Sequence, residues 1–574
     1  MTSALSQGAL IAAALRLGAV TISGWSAREA ALARAAATTI DARTARRLRE
    51  RIRVGEDPLG EAFSAMRSPD LRRPLGATYT PPVIVEAMLE WSRAHIVPDR
   101  VVDPGTGSGR FLLRAAPIFP RATLLGVEID PLAALIARAN LAAAGLARRS
   151  HVALCDYRDF LSRDDVRVSA VTRASARAQT LFIGNPPYVR HHLIEARWKD
   201  WLVRGWRSLG IRASRLAGLH VHFFLATLLA ARPGDAGAFI TAAEWLDVNY
   251  GSALRAAFLG KLGGMGIITV EPRASAFADA ATTSAITLFK IGERVSQVRF
   301  RRLERIAPGT SLAGGTSLAG GTNLADGASL AGGVPVSRQV LEREPRWSKL
   351  SAARPQSRMA RTSKPMRSGD RPRLADLVQL GELCRVHRGQ ATGANAVWIA
   401  GEEARDLPAS VLMATVTRAR ELISAGRVLR SLESLRRVVD LPRDLSELAA
   451  SQRLPVEAFL KAARRRGADR SYLARHRHAW WSVELRAPAP ILATYMARRP
   501  PVFTRNVAGA RHLNIAHGLY PRVELNEAQL MGLVDYLSTR VRIEDGRTYA
   551  GGLTKFEPRE MERLLVPRPE ALSA

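Results

Sequence analysis

The chain has 574 residues, too many for one small core, and 47% are hydrophobic, so most of it can fold into two to four domains. A net charge of +32 points to a polyanionic partner, most commonly nucleic acid, although an Arg- and Ala-rich composition of the kind GC-rich coding produces accounts for part of it. The two cysteines, Cys155 and Cys384, have no metal-ligand spacing, which argues against structural zinc and for a reduced, cytoplasmic compartment; no run of 18 apolar residues suggests a membrane span.

The apolar stretch from Ala9 to Ile22 is interrupted by Arg16 and lacks a basic region before it, so it reads as an amphipathic helix and not a signal peptide. Residues 1–70 are predicted to form a helical extension with Ala/Leu periodicity. Within 71–305, apolar runs such as Arg100-Val101-Val102-Asp103, Leu124-Leu125-Gly126-Val127, Thr180-Leu181-Phe182-Ile183 and Ala238-Phe239-Ile240-Thr241 alternate with helical patterns. Such alternation predicts a mainly parallel α/β sheet. Between 310 and 333 the hexapeptide TSLAGG recurs with variations, and 345–372 is rich in Arg, Ser and Pro. Together 306–372 reads as a loop expansion followed by a basic linker. A second folded domain is expected over 373–574, mixed α/β, with a Leu/Arg-rich helical stretch at 409–480.

Val101 to Leu112 reads as a buried strand, a Gly loop and a helix start, with Asp103, Gly105 and Gly107 as candidate cofactor contacts. Glycine lets backbone approach a ligand closely, and a helix N-terminus offers N–H groups to an anion. The spacing is GxGxG, and Arg110 stands where a dinucleotide fingerprint has its third glycine, which argues against NAD. The methionine carboxylate of S-adenosylmethionine suits this loop. Glu128, ending the next strand, could accept both ribose hydroxyls; Asp156, after the strand following, could accept from the adenine amine, with Tyr157 packing on the ring. Each acid alone fits a solvated loop equally well. Their order on successive strand ends supports the cofactor reading.

Asn185-Pro186-Pro187-Tyr188 is the sharpest signal. Two prolines forbid helix and leave carbonyls without matching donors. The Asn185 side-chain oxygen and the Pro186 carbonyl could accept both hydrogens of an exocyclic amine and favour the pyramidal nitrogen that attacks a sulfonium methyl. Tyr188 could stack on the base, which must leave the duplex stack to reach such a pocket.

These motifs resemble the γ-class amino methyltransferases of restriction–modification systems, the TaqI/Eco57I-like family. Gly76-Ala77-Thr78-Tyr79-Thr80-Pro81-Pro82 is similar to the family's motif X, which helps cover the cofactor and brings in Tyr79 and Thr80. Phe277 sits where the family often has an aromatic facing the flipped base; a core aromatic would fit as well. The order of motif X, Gly loop, catalytic motif and C-terminal domain is the γ arrangement. Leu380-Gly381-Glu382, the segment 389–395 and the segment 551–558 look like turns of the family's C-terminal region. The resemblance implies a Rossmann-like class I S-adenosylmethionine-dependent methyltransferase sheet and a C-terminal target-recognition domain. It further implies N6-methylation of adenine in double-stranded DNA, a nucleoid-associated location and a separately encoded restriction endonuclease as partner. The residues before the catalytic region are too few for an attached nuclease.

Lys461 to Trp481 could track phosphates through Arg464, Arg465, Arg466 and Arg475, or be a solvated helix face over a buried Trp480–Trp481 pair. Trp198, Trp201 and Trp206 follow the catalytic motif at spacings that also fit an ordinary helix face. His191-His192 and His476/His478 lack neighbouring ligands in sequence, so no metal is assigned. Protein-glutamine and ribosomal-RNA guanine methyltransferases use related Asn-Pro-Pro motifs and remain alternatives, as does a DNA-binding protein on a degenerate methyltransferase fold.

Overall fold

In the computed structural model, residues 6–35, 39–66, 80–160, 178–271, 283–303, 330, 332–352, 377–497, 499–549 and 553–572 are described. The chain divides into two units, Met1–Met359 with Ala550–Gly552, and Ala360–Tyr549 with Leu553–Ala574.

The first unit opens with α1 (Gln7–Arg16), α2 (Ala27–Arg34), α3 (Ala42–Arg53) and α4 (Pro58–Met66). The apolar runs that follow become β1 (Arg100–Pro104), β2 (Thr123–Glu128), β3 (Ser150–Leu154), β4 (Thr180–Gly184), β5 (Ala236–Ala242), β6 (Gly264–Val270), β7 (Ser284–Lys290), β8 (Gln297–Leu303) and β9 (Val334–Ser337). They form one sheet in the order β3-β2-β1-β4-β5-β7-β6-β8-β9. β1 to β5 pair in parallel, while β7 lies antiparallel between β5 and β6. This is the Rossmann-like methyltransferase sheet expected from the sequence, extended by β8 and β9.

Alternation along each strand gives the sheet a core on each face. Val101, Leu124 and Leu181 pack with α5 (Pro82–His95), α6 (Arg110–Ile118) and α7 (Pro131–Ala143). Their neighbours Val102, Leu125 and Phe182 pack with the one-turn α8 (Tyr157–Phe160), α9 (Ala196–Ser208), α10 (Leu219–Ala230) and α11 (Ser252–Leu259). Because both faces are covered, the central strands read as continuous apolar runs. The chain starts at β1, builds outward to β3, then returns to β4 on the other side of β1. That reversal opens a crevice at the carboxyl ends of β1 and β4, where open α/β sheets bind ligands.

The N-terminal helices belong to this unit. Leu10, Ile11, Leu17, Leu48, Ile52 and Leu59 form a core with Leu132, Leu135, Ile136 and Ala139 of α7. α7 is therefore apolar on nearly all sides, since the sheet covers one face and the extension the other. Arg138 of α7 is fully buried against Glu29, with Nε 2.5 Å from Oε1, and donates to the carbonyls of Ile22, Ser23, Gly24 and Val152.

Two sequence expectations are revised. The span 306–372 is not all loop and linker: β9, then α12 (Arg338–Arg343) and a short helix Trp347–Ala352 fold onto the sheet. Trp347 is the reason, being 1% exposed and packed against Trp245, Phe258 and Phe300. The TSLAGG repeats lie outside the described residues apart from Leu330, Gly332 and Gly333. The stretch 409–480 is also not one helical region. Leu412–Val416 and Arg436–Val439 are antiparallel strands, and only Ala450–Arg465 is a long helix. β-branched Val416, Val438 and Val439 favour strand there, and Gly426 at φ +64 ends the helix between them.

The second unit holds a five-stranded sheet ordered Cys384–Arg388, Ala516–Pro521, Ile491–Thr494, Phe503–Asn506 and Val428–Leu429, with smaller sheets beside it. Trp480 packs on Trp398 beneath the Arg464 guanidinium, and Trp481 donates to the Pro442 carbonyl. Arg464, Arg465, Arg466 and Arg475 are exposed, and Arg466 pairs with Glu403. Among the described residues, no helix is long and apolar enough to cross a membrane.

Candidate active site

The loop between β1 and α6 turns through Gly105, Gly107 and Gly109, at φ +78, +54 and +84. L side chains are strained in this region, so the three glycines are a backbone requirement. A Cβ on Gly107 would meet nothing within 4 Å, so the loop faces open space at that point. A Cβ on Gly105 would lie 3.5 Å from Pro187 Cδ and 3.8 Å from Phe223, which places the loop directly against the Asn-Pro-Pro-Tyr segment.

Asp103 lies under the loop at the end of β1, 1% exposed. Its Oδ2 accepts from Thr106 Oγ1 at 2.9 Å, while Oδ1 has no hydrogen-bond partner among the described residues. Burial pushes its carboxyl up to about 8, against the Thr106 bond and with the help of the nearby Glu128 charge. Glu128 ends β2. Its Oε2 accepts from Gly107 N–H at 2.8 Å, and its Oε1 accepts from Ile129 and Asp130 N–H at 2.8 and 2.9 Å. Burial raises this carboxyl too, and the three amides oppose the rise. Of roughly four acceptor positions on a carboxylate, backbone takes three, a tighter tie than a grip on both ribose hydroxyls assumes.

Asp156 follows β3 and is chelated by Arg158. Nε donates to Oδ1 at 2.9 Å and Nη2 to Oδ2 at 2.5 Å, and the Arg158 backbone N–H also reaches Oδ1. Burial works to raise its carboxyl, but the Arg158 bonds and charge hold it below the usual range. The Arg158 guanidinium lies 3.9 Å from the centre of the Trp198 ring. Tyr157 is 2% exposed; its hydroxyl bonds Thr227 at 3.0 Å and its ring packs on Phe223, so the side chain sits in the core.

β4 ends at Gly184, where a Cβ would come within 2.5 Å of Asp103 Oδ1. Glycine is thus needed for β1 and β4 to end side by side. The two prolines then stop the strand and present Asn185 over the crevice. Asn185 Nδ2 donates to Thr80 Oγ1 at 3.0 Å, which fixes the amide plane and makes the side-chain oxygen the acceptor end. Thr80 is brought there because Pro81 and Pro82 start α5, proline being preorganised for a first helical turn. Tyr188 is partly buried, and burial raises its phenol despite the Ser284 hydroxyl beside it. Val189 accepts from Leu219 N–H at 2.9 Å, tying the segment to α10.

Thr80, Asp103, Gly105, Gly107, Glu128, Asn185 and Pro187 therefore form one run of contacts. Tyr79 and Phe277 lie outside the described residues. Arg158 was missed by sequence reasoning, although its position two residues after Asp156 is a usable local signal. Asp57, bonded to Ser108 of the loop and to Arg110 at the start of α6, gave no such signal, being 51 residues from Ser108.

A Rossmann-like sheet with a GxGxG loop and an Asn-Pro-Pro-Tyr segment at its switch point defines an amino methyltransferase site. The model of the C-terminal domain of the Type II methyltransferase M.Eco57I matches residues 373–574. The Type II methyltransferase M.XamI of Xanthomonas campestris pv. amaranthicola is 48% identical over 518 residues, covering 90% of this chain and 88% of that protein. The Type II methyltransferase M.AccI of Acinetobacter calcoaceticus is 21% identical, covering 66% and 67%. Among solved structures, the Type IIL restriction-modification enzyme MmeI in complex with DNA superposes with a TM-score of 0.56 at 14% identity, covering 90% of this chain and 72% of that one. The chain belongs to the γ-class Type II methyltransferases of restriction–modification systems.

Proposed function

We propose that this protein transfers a methyl group from S-adenosylmethionine to the N6 amine of adenine in duplex DNA, as the modification component of a restriction–modification or related defence system in the cytoplasm. The observation that carries this reading is the Thr80–Asn185 bond, which holds the Asn185 amide beside the Gly loop at the sheet's switch point.

The residues present fit the cofactor. Gly107 borders open space and Asp103 Oδ1 is a buried acceptor without a partner among the described residues. Asp103 would take the cofactor's ammonium, the remaining acceptor position of Glu128 a ribose hydroxyl, and Asp156 Oδ2 the adenine amine. When bound, the cofactor supplies an electrophilic methyl on a sulfonium.

The adenine N6 lone pair is delocalised into its ring, so the amine is a poor nucleophile. The Asn185 side-chain oxygen and the Pro186 carbonyl accept its two hydrogens and favour a pyramidal nitrogen. As the new N–C bond forms, the bond from the methyl to sulfur would break with its electron pair going to sulfur, which leaves as a neutral thioether; positive charge develops on N6, and both oxygens stabilise it before a proton is lost to solvent. Tyr188 stacks on the base once it has left the duplex, and Phe277 is proposed to face it from the other side. Residues 373–574 are proposed to read the DNA target, and a restriction endonuclease encoded separately is the expected companion.

Long-read modification mapping of DNA from a methylation-deficient host tests this. Methylated adenine at one short recurring sequence is expected with the natural chain, and none with Asn185→Ala, whose DNA binding should be largely retained. Unmodified DNA from a chain that binds the cofactor would overturn the DNA reading, and methylation by Asn185→Ala well above the per-cent level would overturn its catalytic role.

A further inference from the structure

Asp57 belongs to none of the motifs above, yet four donors converge on its carboxylate. It is 4% exposed and accepts from Gly60 N–H at 2.9 Å, at the start of α4. The same carboxylate accepts from Ser108 Oγ at 2.5 Å, Arg110 Nη2 at 2.8 Å and Asn140 Nδ2 at 2.9 Å. The second Asn140 hydrogen goes to the Ser108 carbonyl at 2.9 Å. Four donors saturate a carboxylate. They come from the N-terminal extension, the Gly loop, the first turn of α6 and the last turn of α7.

Ser108 and Arg110 flank Gly109, and Ser108 directly follows Gly107, the position that faces open space. Glu128 holds the upstream side of that position through Gly107 N–H. Asp57 holds the downstream side through Ser108 and Arg110. We propose that Asp57 is a positioning residue for the cofactor: it preforms the Gly loop, which makes the N-terminal extension part of the cofactor site. A loop ordered in advance does not charge its ordering against binding, so loss of the brace should appear in cofactor affinity. The inference rests on the reading of the loop as an S-adenosylmethionine site.

The test is calorimetric titration of the full chain with S-adenosylmethionine, beside steady-state kinetics, for the natural protein, Asp57→Ala, Asp57→Asn and Ser108→Ala. Asp57→Ala should raise Kd and the cofactor KM about tenfold or more, as expected for a buried charged acceptor, while kcat at saturating cofactor changes by less than about threefold. Asp57→Asn, which keeps an acceptor oxygen, should recover part of the affinity. If Asp57→Ala fails to fold, Ser108→Ala decides the matter, because it deletes one donor and leaves no charge unpaired; a rise of a few-fold in Kd is expected. Folded Asp57→Ala or Ser108→Ala with natural Kd would reduce Asp57 to a structural cap and overturn the proposal, even if the unfolding midpoint falls. A loss confined to kcat would overturn it as well. A natural protein that binds no S-adenosylmethionine would overturn the cofactor reading itself, and the bracing role with it.

Discussion

Three carboxylates end three successive strands or the turns after them, and each is tuned differently. Asp103 is kept mostly neutral at pH 7 by burial, Glu128 is held by backbone amides, and Asp156 is ionised against Arg158. Bringing the cofactor's ammonium to Asp103 should ionise it. Cofactor binding near pH 7 is therefore expected to release most of one proton, seen as binding enthalpies that vary with buffer ionisation enthalpy. Asp103→Asn should abolish that dependence; an unchanged dependence would remove Asp103 from the cofactor site. The candidate residues were legible because strand ends and prolines mark them in sequence. The bond from Thr80 to Asn185 was not, since 105 residues separate them.

At the scale of elements, the extension is locked to α7 by the Arg138–Glu29 pair, with both side chains at 0% exposure. Breaking a buried pair leaves a charge uncompensated, at a cost of about 3–5 kcal/mol. Glu29→Gln should lower the denaturant midpoint of the first unit accordingly, as followed by circular dichroism; a midpoint within error of the natural one would mean that the extension is only loosely attached. Helix α7 shows why element assignment and element placement differ in difficulty. Its apolar residues and its Asp130 cap with Pro131 are local signals. That the extension would bury its outer face is not. Likewise, the Arg-rich composition of 345–372 concealed Trp347, whose aromatic neighbours come from β8, α11 and the segment after β5.

Across the whole molecule, stability should depend on pH through four buried histidines. Burial lowers His220, His512 and His517 to about 4 and His222 to about 3, from an unfolded value of 6.5. The unfolded chain thus binds more protons in this window. Their contribution is complete above pH 6.5 and is lost as pH falls toward 4. Asp103 acts in the opposite sense, losing stability as pH rises from 3.8 toward about 8, and burial raises the carboxyls of Glu128, Asp235 and Asp440 in the same direction, but the four histidines all begin to charge together in the unfolded chain below pH 6.5. His220 and His222 lie in the first unit, and His512 and His517 in the second, so both should be affected. Scanning calorimetry should give a lower unfolding midpoint near pH 5 than near pH 7.5; equal or higher midpoints at the lower pH would show that other groups govern the acid limb.

The sequence by itself determined the alternating sheet, the Gly loop and the Asn-Pro-Pro-Tyr segment, because strand runs, positive-φ glycines and paired prolines are local constraints on backbone. It also carried the family, through motif order. Only the tertiary structure decided which groups meet. Thr80 reaches Asn185, Gly184 yields to Asp103, and Asp57 reaches the Gly loop through contacts between residues distant in sequence. Such pairings depend on how strands return beside one another and which helices cover them, and nothing in the local residue pattern encodes that.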